Sequence, residues 1–443
     1  MTATQKSVAA AIAVNRFGLG ARPGELARAE KDPRGWLEKQ LGDRPPVLAG
    51  DGLRPSSTIL KDALELRREL VDARRDKKDG EVDSGKALSA ALKLPAIYRP
   101  IYIDEAFARF SHAVNTDRPF LERLTQFWSN HFAVSIDKIA VLGIAGAMER
   151  EAIRPNVTGS FTRLLMAVEK HPAMLLYLDN QTSIGPNSRA AKFVARRAKG
   201  NGRKLDINEN LAREILELHT LGVDGGYSQA DVTTFAKAIT GWSIGGEDQG
   251  RRFARLGLDS GKSGEFFFRE VFHEPGAKRL LGTSYAEDGV KQGEAILEDL
   301  AQRPQTARHV STKLARHFIA DDPPKAVVDR MTRAWLDSRG QLSKVYAALL
   351  ASPEAWSEPL AKFKTPADYI HSSYRALALP LRDKRRALQA FEALGQRNLM
   401  PGSPAGWPDT SADWDGSSAL LKRIAWADGV AQRMGDERNA REL

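Results

Sequence analysis

The sequence predicts a mainly α-helical protein: a large multi-helix globular domain that carries one short β-hairpin. Apolar residues recur every three to four positions through most of the 443 residues, whereas alternation with a period of two is scarce. The composition, 42% hydrophobic and 28% charged, suits a chain that buries a core and keeps a polar surface in water.

The first helix is expected over 4–15, with Ala10, Val14 and Phe17 packed on the body of the protein. Lys6 followed by Ser7 to Val14 also has the outline of an export signal. One lysine is a thin basic region, and Asn15-Arg16 stands where small cleavage-site residues belong, so a retained helix in a cytoplasmic protein is expected. Helical spacing continues over 23–42, 55–76, 97–114, 117–133, 144–153 and 158–169. Arg68 to Asp83 is dense in both signs of charge and reads as a solvated helix end entering a linker. It divides the chain into an N-terminal helical segment, 1–90, packed on a main helical domain, 91–443.

Gly185-Pro186-Asn187 and Gly200-Asn201-Gly202 break the pattern, so 179–207 reads as a mobile solvated loop. Helices resume over 208–221 and 228–241. Phe266-Phe267-Phe268, the turn residues His273 to Gly276 and then Lys278 to Leu281 predict the one hairpin, 265–281. Further helices follow over 288–302, 305–319, 325–338, 343–351, 366–379, 383–395 and 417–433. No repeat of 20–50 residues suggests a solenoid.

Several function classes drop out on composition. With no cysteine there is no disulfide framework, thiol nucleophile or cysteine-held metal. No run of eighteen apolar residues predicts a membrane-spanning helix. The net charge is +10, and between Asp179 and Lys204 seven basic residues (Arg189, Lys192, Arg196, Arg197, Lys199, Arg203, Lys204) stand against one acid. Such charge over 189–204 offers contact with an anionic polymer. Nucleic acid is disfavoured, because only Phe193 is interleaved for base stacking.

Polar residues on apolar helix faces are the candidate chemistry. Near 100° per residue, Leu211, Ile215, Leu218 and Leu221 form a stripe that takes in Glu214, with His219 at its margin, while Arg213 and Glu217 are spaced to pair. His131 projects into the face made by Phe120, Leu124, Phe127 and Trp128. His273-Glu274 sits on the proposed turn, where surface decoration is the plain reading. An imidazole or carboxylate on a buried face needs a partner and is competent as a proton carrier or metal ligand. A divalent metal on His131, Glu214, His219 and His273 is therefore one reading, and a satisfied core His or Glu is the other, for no HExxH or Glu-x-x-His repeat is present. GxxxxGK[ST] and a strand-borne GxGxxG are absent too. Met400 to Ser418 gathers Trp407, Trp414, Asp409, Asp413 and Asp415 without helical period; both indoles plugging the surface is the plain reading, and a carbohydrate platform or a cation site is the alternative.

Asn15-Arg16-Phe17-Gly18-Leu19-Gly20, Phe127-Trp128-Ser129-Asn130-His131-Phe132, Asn208 to Val223, Thr240-Gly241-Trp242, Lys364-Thr365-Pro366 and Gly406-Trp407 together resemble the bacterial family catalogued as domain of unknown function 1800. The resemblance covers nearly the whole chain. It implies export for many members, and as a partner a neighbouring gene product that looks like a sulfatase or alkaline phosphatase, which makes a periplasmic or exported location the alternative to a cytoplasmic one. It implies no activity. Two classes of function follow. The absence of a complete catalytic motif favours a non-enzymatic scaffold or accessory protein binding a partner protein or anionic polymer. The other class is a metal-assisted or acid–base enzyme, with His131, Glu214 and His219 as catalytic residues in the helical core.

Overall fold

The computed structural model describes residues 3–42, 47–48, 50–75, 84–197, 206–246, 261–357 and 362–434. Helices dominate, and among the described residues β-structure is limited to two two-stranded antiparallel sheets. The expected helix over 23–42 is two, Glu25–Lys31 and Pro33–Leu41. Asp32 accepts a hydrogen bond from the Gly35 N–H at 3.0 Å, and Pro33 occupies the first helical position, where its missing N–H costs nothing. At Ala13–Phe17, Glu149–Ile153 and Ile215–Thr220 the helices widen into π-type turns. Each inserts a residue and changes which side chains face inward downstream.

One apolar core runs from Ile12 and Phe17 through Trp128, Phe161 and Leu216 to Trp335 and Ala355. Ala10, Val14 and Phe17 of the first helical stretch are all buried, and Phe17 stacks on Phe318 with ring centres 5.8 Å apart. The helix Ser84–Asn115 passes through residue 90, and its Tyr98 and Ile101 join that same core. Arg375 clamps the N-terminal helices from the other end of the chain. Its buried guanidinium donates to the carbonyls of Gly20, Ala113, Val114 and Thr116 and meets Glu25 at 2.7 Å.

The hairpin expected over 265–281 is rearranged. Phe266–Phe268 pairs with Trp242–Ile244, and Lys278–Leu280 pairs with Thr283–Tyr285. Leu281 and Gly282, both with positive φ, close the second pair as a two-residue turn, so the nearer partner lay ahead of Lys278 rather than behind it. The Thr240-Gly241-Trp242 stretch supplies the other strand, and Gly241 at φ 82° brings it close to the Arg269 carbonyl, where a Cβ would stand 2.6 Å from that oxygen.

Within the segment read as a loop, Arg189–Arg197 is a helix. Ala190, Phe193 and Val194 pack on Ile184, Val271 and Phe272, leaving Arg189, Lys192 and Arg196 outward. Apolar residues at Ala190, Phe193 and Val194, spaced three and four apart, are a helical signal that the charge of the stretch obscured. Residues 198–205, the remainder of the basic segment, lie outside the described residues.

Candidate functional site

Two histidine-containing regions emerge, one sealed and one open. The sealed region forms where the Asn210–Glu214 helix widens through Ile215–Thr220. The carbonyls of Leu218 and His219, near the helix end, are capped by side chains from two other helices. His309 donates Nε2–H to the Leu218 oxygen at 3.3 Å, and His131 donates Nε2–H to the His219 oxygen at 3.1 Å. Each carbonyl therefore fixes a proton on Nε2. Burial pushes the His131 pKa well below its ordinary value and that of His309 down to about 4, with Lys313 reinforcing both shifts.

His219 itself is fully buried, its Nδ1 2.8 Å from Glu169 Oε1, also fully buried. That approach is short but not aligned as a hydrogen bond, and neither Glu169 oxygen has an aligned donor among the described residues. The ring centres of His131 and His219 are 6.1 Å apart.

Glu214 is half-buried at the rim of this region rather than inside it. Burial raises its pKa, with Glu217 and Glu169 adding to the rise and His219 and Arg213 opposing it. The widened turn also undoes the expected Arg213–Glu217 pair. Arg213 instead meets Glu209 at 3.1 Å and Gln229 at 2.9 Å, and Glu217 accepts from the Tyr227 hydroxyl at 3.5 Å.

His273 and Glu274 are buried, not displayed on a turn. His273 Nδ1 donates to the Thr240 carbonyl at 3.1 Å, and Glu274 accepts from the Asn187 backbone and side chain at 2.7 and 2.6 Å. The charged groups around His273 are Lys278, Glu287 and Glu274, a set separate from the one around His131 and His219. Among the described residues no three His, Asp or Glu side chains are grouped to hold a metal ion. The divalent-metal reading of His131, Glu214, His219 and His273 thus acquires no ligand set from this geometry.

The open region is a cleft of about 90 Å³, lined among others by Gln126, Asn130, His317, Asp368, Trp407 and Asp409. His317 ends the helix Pro304–Phe318 and lies 3.0 Å from Asp409 through Nδ1. A carboxylate only accepts, so Nδ1 carries the proton. Nε2 receives a long 3.4 Å contact from Arg123 Nε–H, which requires its lone pair and makes it the basic nitrogen of a neutral ring. Burial would raise the Asp409 pKa, but His317, Lys313 and Lys362 together bring it below the ordinary carboxylate value. Lys362 also donates to the Asp409 carbonyl. Asp368 meets Arg123 at 3.2 Å.

A buried ion chain supports the same cleft from behind. Arg154 bridges Glu122 and Glu149 at 2.7 and 2.8 Å, and Glu149 holds Arg109 Nε at 2.6 Å. Arg109 NH1 in turn donates to Asn398 Oδ1 at 3.2 Å. Burial opposes ionisation of Glu149, yet Arg109 and Arg154 outweigh it and lower its pKa to about 2. Asn130 holds the wall in place through both amide atoms, donating to the Trp407 carbonyl at 2.8 Å and accepting from its N–H at 2.7 Å. Trp414, the other indole of that loop, is buried and donates to the Pro408 carbonyl, so one tryptophan plugs the surface and the other faces the cleft.

The family model described as "Protein of unknown function (DUF1800)" matches residues 12–443. The chain belongs to this family. No curated protein and no solved structure matches. Three of the stretches that carry the resemblance to DUF1800 meet at the cleft: Ser129 and Asn130 from one, Thr365 from another and Trp407 from the third.

Sequence reasoning singled out His131, Glu214 and His219, and Asp409 within its loop, but passed over His317 and Glu169. A signal for His317 existed, since His309, Lys313 and His317 repeat every four residues along one helix face. Asp409 stood within the Trp- and Asp-rich loop. Its pairing with His317 joins residues 92 apart and has no local signature.

Proposed function

We propose that this DUF1800 chain binds a small polar molecule in the cleft and that His317, oriented by Asp409, accepts a proton from it. This is the acid–base class, with its site at the cleft instead of at His131, Glu214 and His219. The observation that carries the reading is the His317–Asp409 contact of 3.0 Å on the wall of a partly open cleft. A carboxylate on Nδ1 fixes the tautomer and puts the lone pair on Nε2, the arrangement by which a histidine serves as a general base once a ligand displaces the long Arg123 contact. The neutral, carbonyl-bonded His131 and His309 have no such freedom.

The test is a thermal-shift panel of amino acids, sugars, polyols, hydroxy acids and inorganic phosphate on wild type and His317→Gln. At least one class is expected to raise the wild-type Tm by about 2 °C or more, with the shift lost in H317Q. A panel without any shift, or one unchanged in H317Q, refutes the reading.

A second reading, the accessory protein, is favoured by the last helix, Ser417–Met434, where Leu421 and Ile424 are 66% and 65% exposed beside a groove lined by Phe363 and Tyr369. A sulfatase- or phosphatase-like partner, or an anionic polymer on the outward Arg189, Lys192 and Arg196, belongs to this reading. Its measure is co-purification with the neighbouring gene product, lost in Ile424→Lys.

A further inference from the structure

Donors without acceptors collect along the cleft. Asn398 is 7% exposed, and its Oδ1 accepts from Arg109, which fixes the orientation of the amide. Its Nδ2 is then a buried N–H donor with no acceptor among the described residues, and so is Gln126 Nε2. Both residues line the cleft, as does Arg109, whose Nε is held by Glu149 and whose NH1 is held by Asn398. Buried donors left unpaired are costly, so two among the residues of one cleft lining call for an oxygen-bearing ligand group.

The rest of the lining carries the opposite demand. Asp409 and Asp368 are acceptors, and each is already committed through one oxygen, to His317 and Arg123. A ligand facing them must bring hydroxyl or amine donors. Trp407 adds an apolar wall against which the C–H face of a polyol packs well. Oxygen acceptors and several hydroxyl donors on one small, compact molecule describe a sugar acid more closely than a sugar, an amine or a bare anion.

Given that the cleft holds a ligand, we infer that this ligand is a small hydroxylated carboxylate, its carboxylate seated on Asn398, Gln126 and Arg109 and its hydroxyls facing His317 and Asp409. The same donors exclude a cationic ligand from that seat. A ligand hydroxyl that faces His317 sits on the bound molecule itself, so the histidine and the proposed anion seat serve one ligand.

Isothermal titration with D-gluconate, the neutral polyol D-sorbitol and inorganic phosphate tests this, using the full chain as wild type, Asn398→Asp and H317Q. Gluconate should bind wild type at least about 10-fold more tightly than sorbitol. N398D keeps the oxygen that Arg109 requires but replaces the free donor with a second carboxylate oxygen. It should therefore weaken gluconate by about 10-fold or more and erase the preference over sorbitol. Gln126→Glu repeats the test on the second donor should N398D not fold by circular dichroism.

Equal affinity for gluconate and sorbitol, a preference that survives in both N398D and Gln126→Glu, or binding of phosphate but not gluconate would each overturn the inference while leaving the cleft as a ligand site. Failure of all three probes when another panel compound shifts the wild-type Tm would overturn it in the same way. Failure of the whole panel would remove the cleft reading with it.

Discussion

His219 and His317 each hold a carboxylate at close to hydrogen-bond distance, 2.8 Å to Glu169 and 3.0 Å to Asp409, yet their surroundings give the two pairs different capacities. The first pair is sealed, with both side chains fully buried. The second is partly open, its side chains 13% and 18% exposed on the cleft wall. Around His219 the imidazoles of His131 and His309 spend their N–H groups on helix-end carbonyls, a structural use that needs no ligand. Around His317, Nε2 is held only by a long contact from Arg123, and the amide donors of Asn398 and Gln126 lack acceptors among the described residues and need one. A histidine beside an acid is therefore uninformative until the fate of its other nitrogen and its access to solvent are known.

The same substitution made in both regions separates them most strongly. His219→Ala leaves Glu169 buried without its partner and is expected to cost about 3–5 kcal/mol. His317→Ala leaves Asp409 beside Lys362, Lys313 and solvent and should cost no more than about 1 kcal/mol. Urea unfolding of the two variants measures both. Similar midpoints would erase the distinction between a structural and an available pair.

Acid titration sharpens the contrast less steeply. His309 and His371, with folded pKa values of about 4 and about 3, bind a proton in the unfolded chain near 6.5 but not in the folded one. Burial is the main cause at both. Their stabilising contribution is complete above pH 6.5 and declines as pH falls toward 4 and 3, by an amount on the order of a few kcal/mol in total. Glu149, lowered from about 4.5 to about 2, adds a second loss between those values. Unfolding midpoints from pH 7 to 3 should slope downward below 6.5, and His309→Gln should flatten the first part of that slope. A flat profile in wild type down to pH 4.5 would mean that these histidines are not held neutral by burial.

The smallest effect is kinetic. Diethyl pyrocarbonate acylates accessible neutral imidazole, so peptide mapping should find His317 modified well before His131 and His219, with little change in stability. Equal labelling of His131 and His317 would show that the sealed region opens as readily as the cleft.

Most of the helices, the burial of Ala10, Val14 and Phe17 and the placing of His131 on an inward face follow from the sequence alone, because helical period is a local property that neighbouring residues carry. Glu214 already escaped that logic. One widened turn downstream of it changes the angular phase that a fixed 100° per residue assumes, leaving Glu214 at a rim and Glu217 without Arg213. The helix at 189–197 was readable in its apolar spacing, but its charge was the louder feature. Strand pairing, the contact of Glu169 with His219, the reach of Arg375 to Glu25 and the meeting of His317 with Asp409 were decided only by tertiary structure. Each joins residues far apart in the chain through contacts made after the helices pack, and no short-range pattern encodes which distant oxygen a given nitrogen will face.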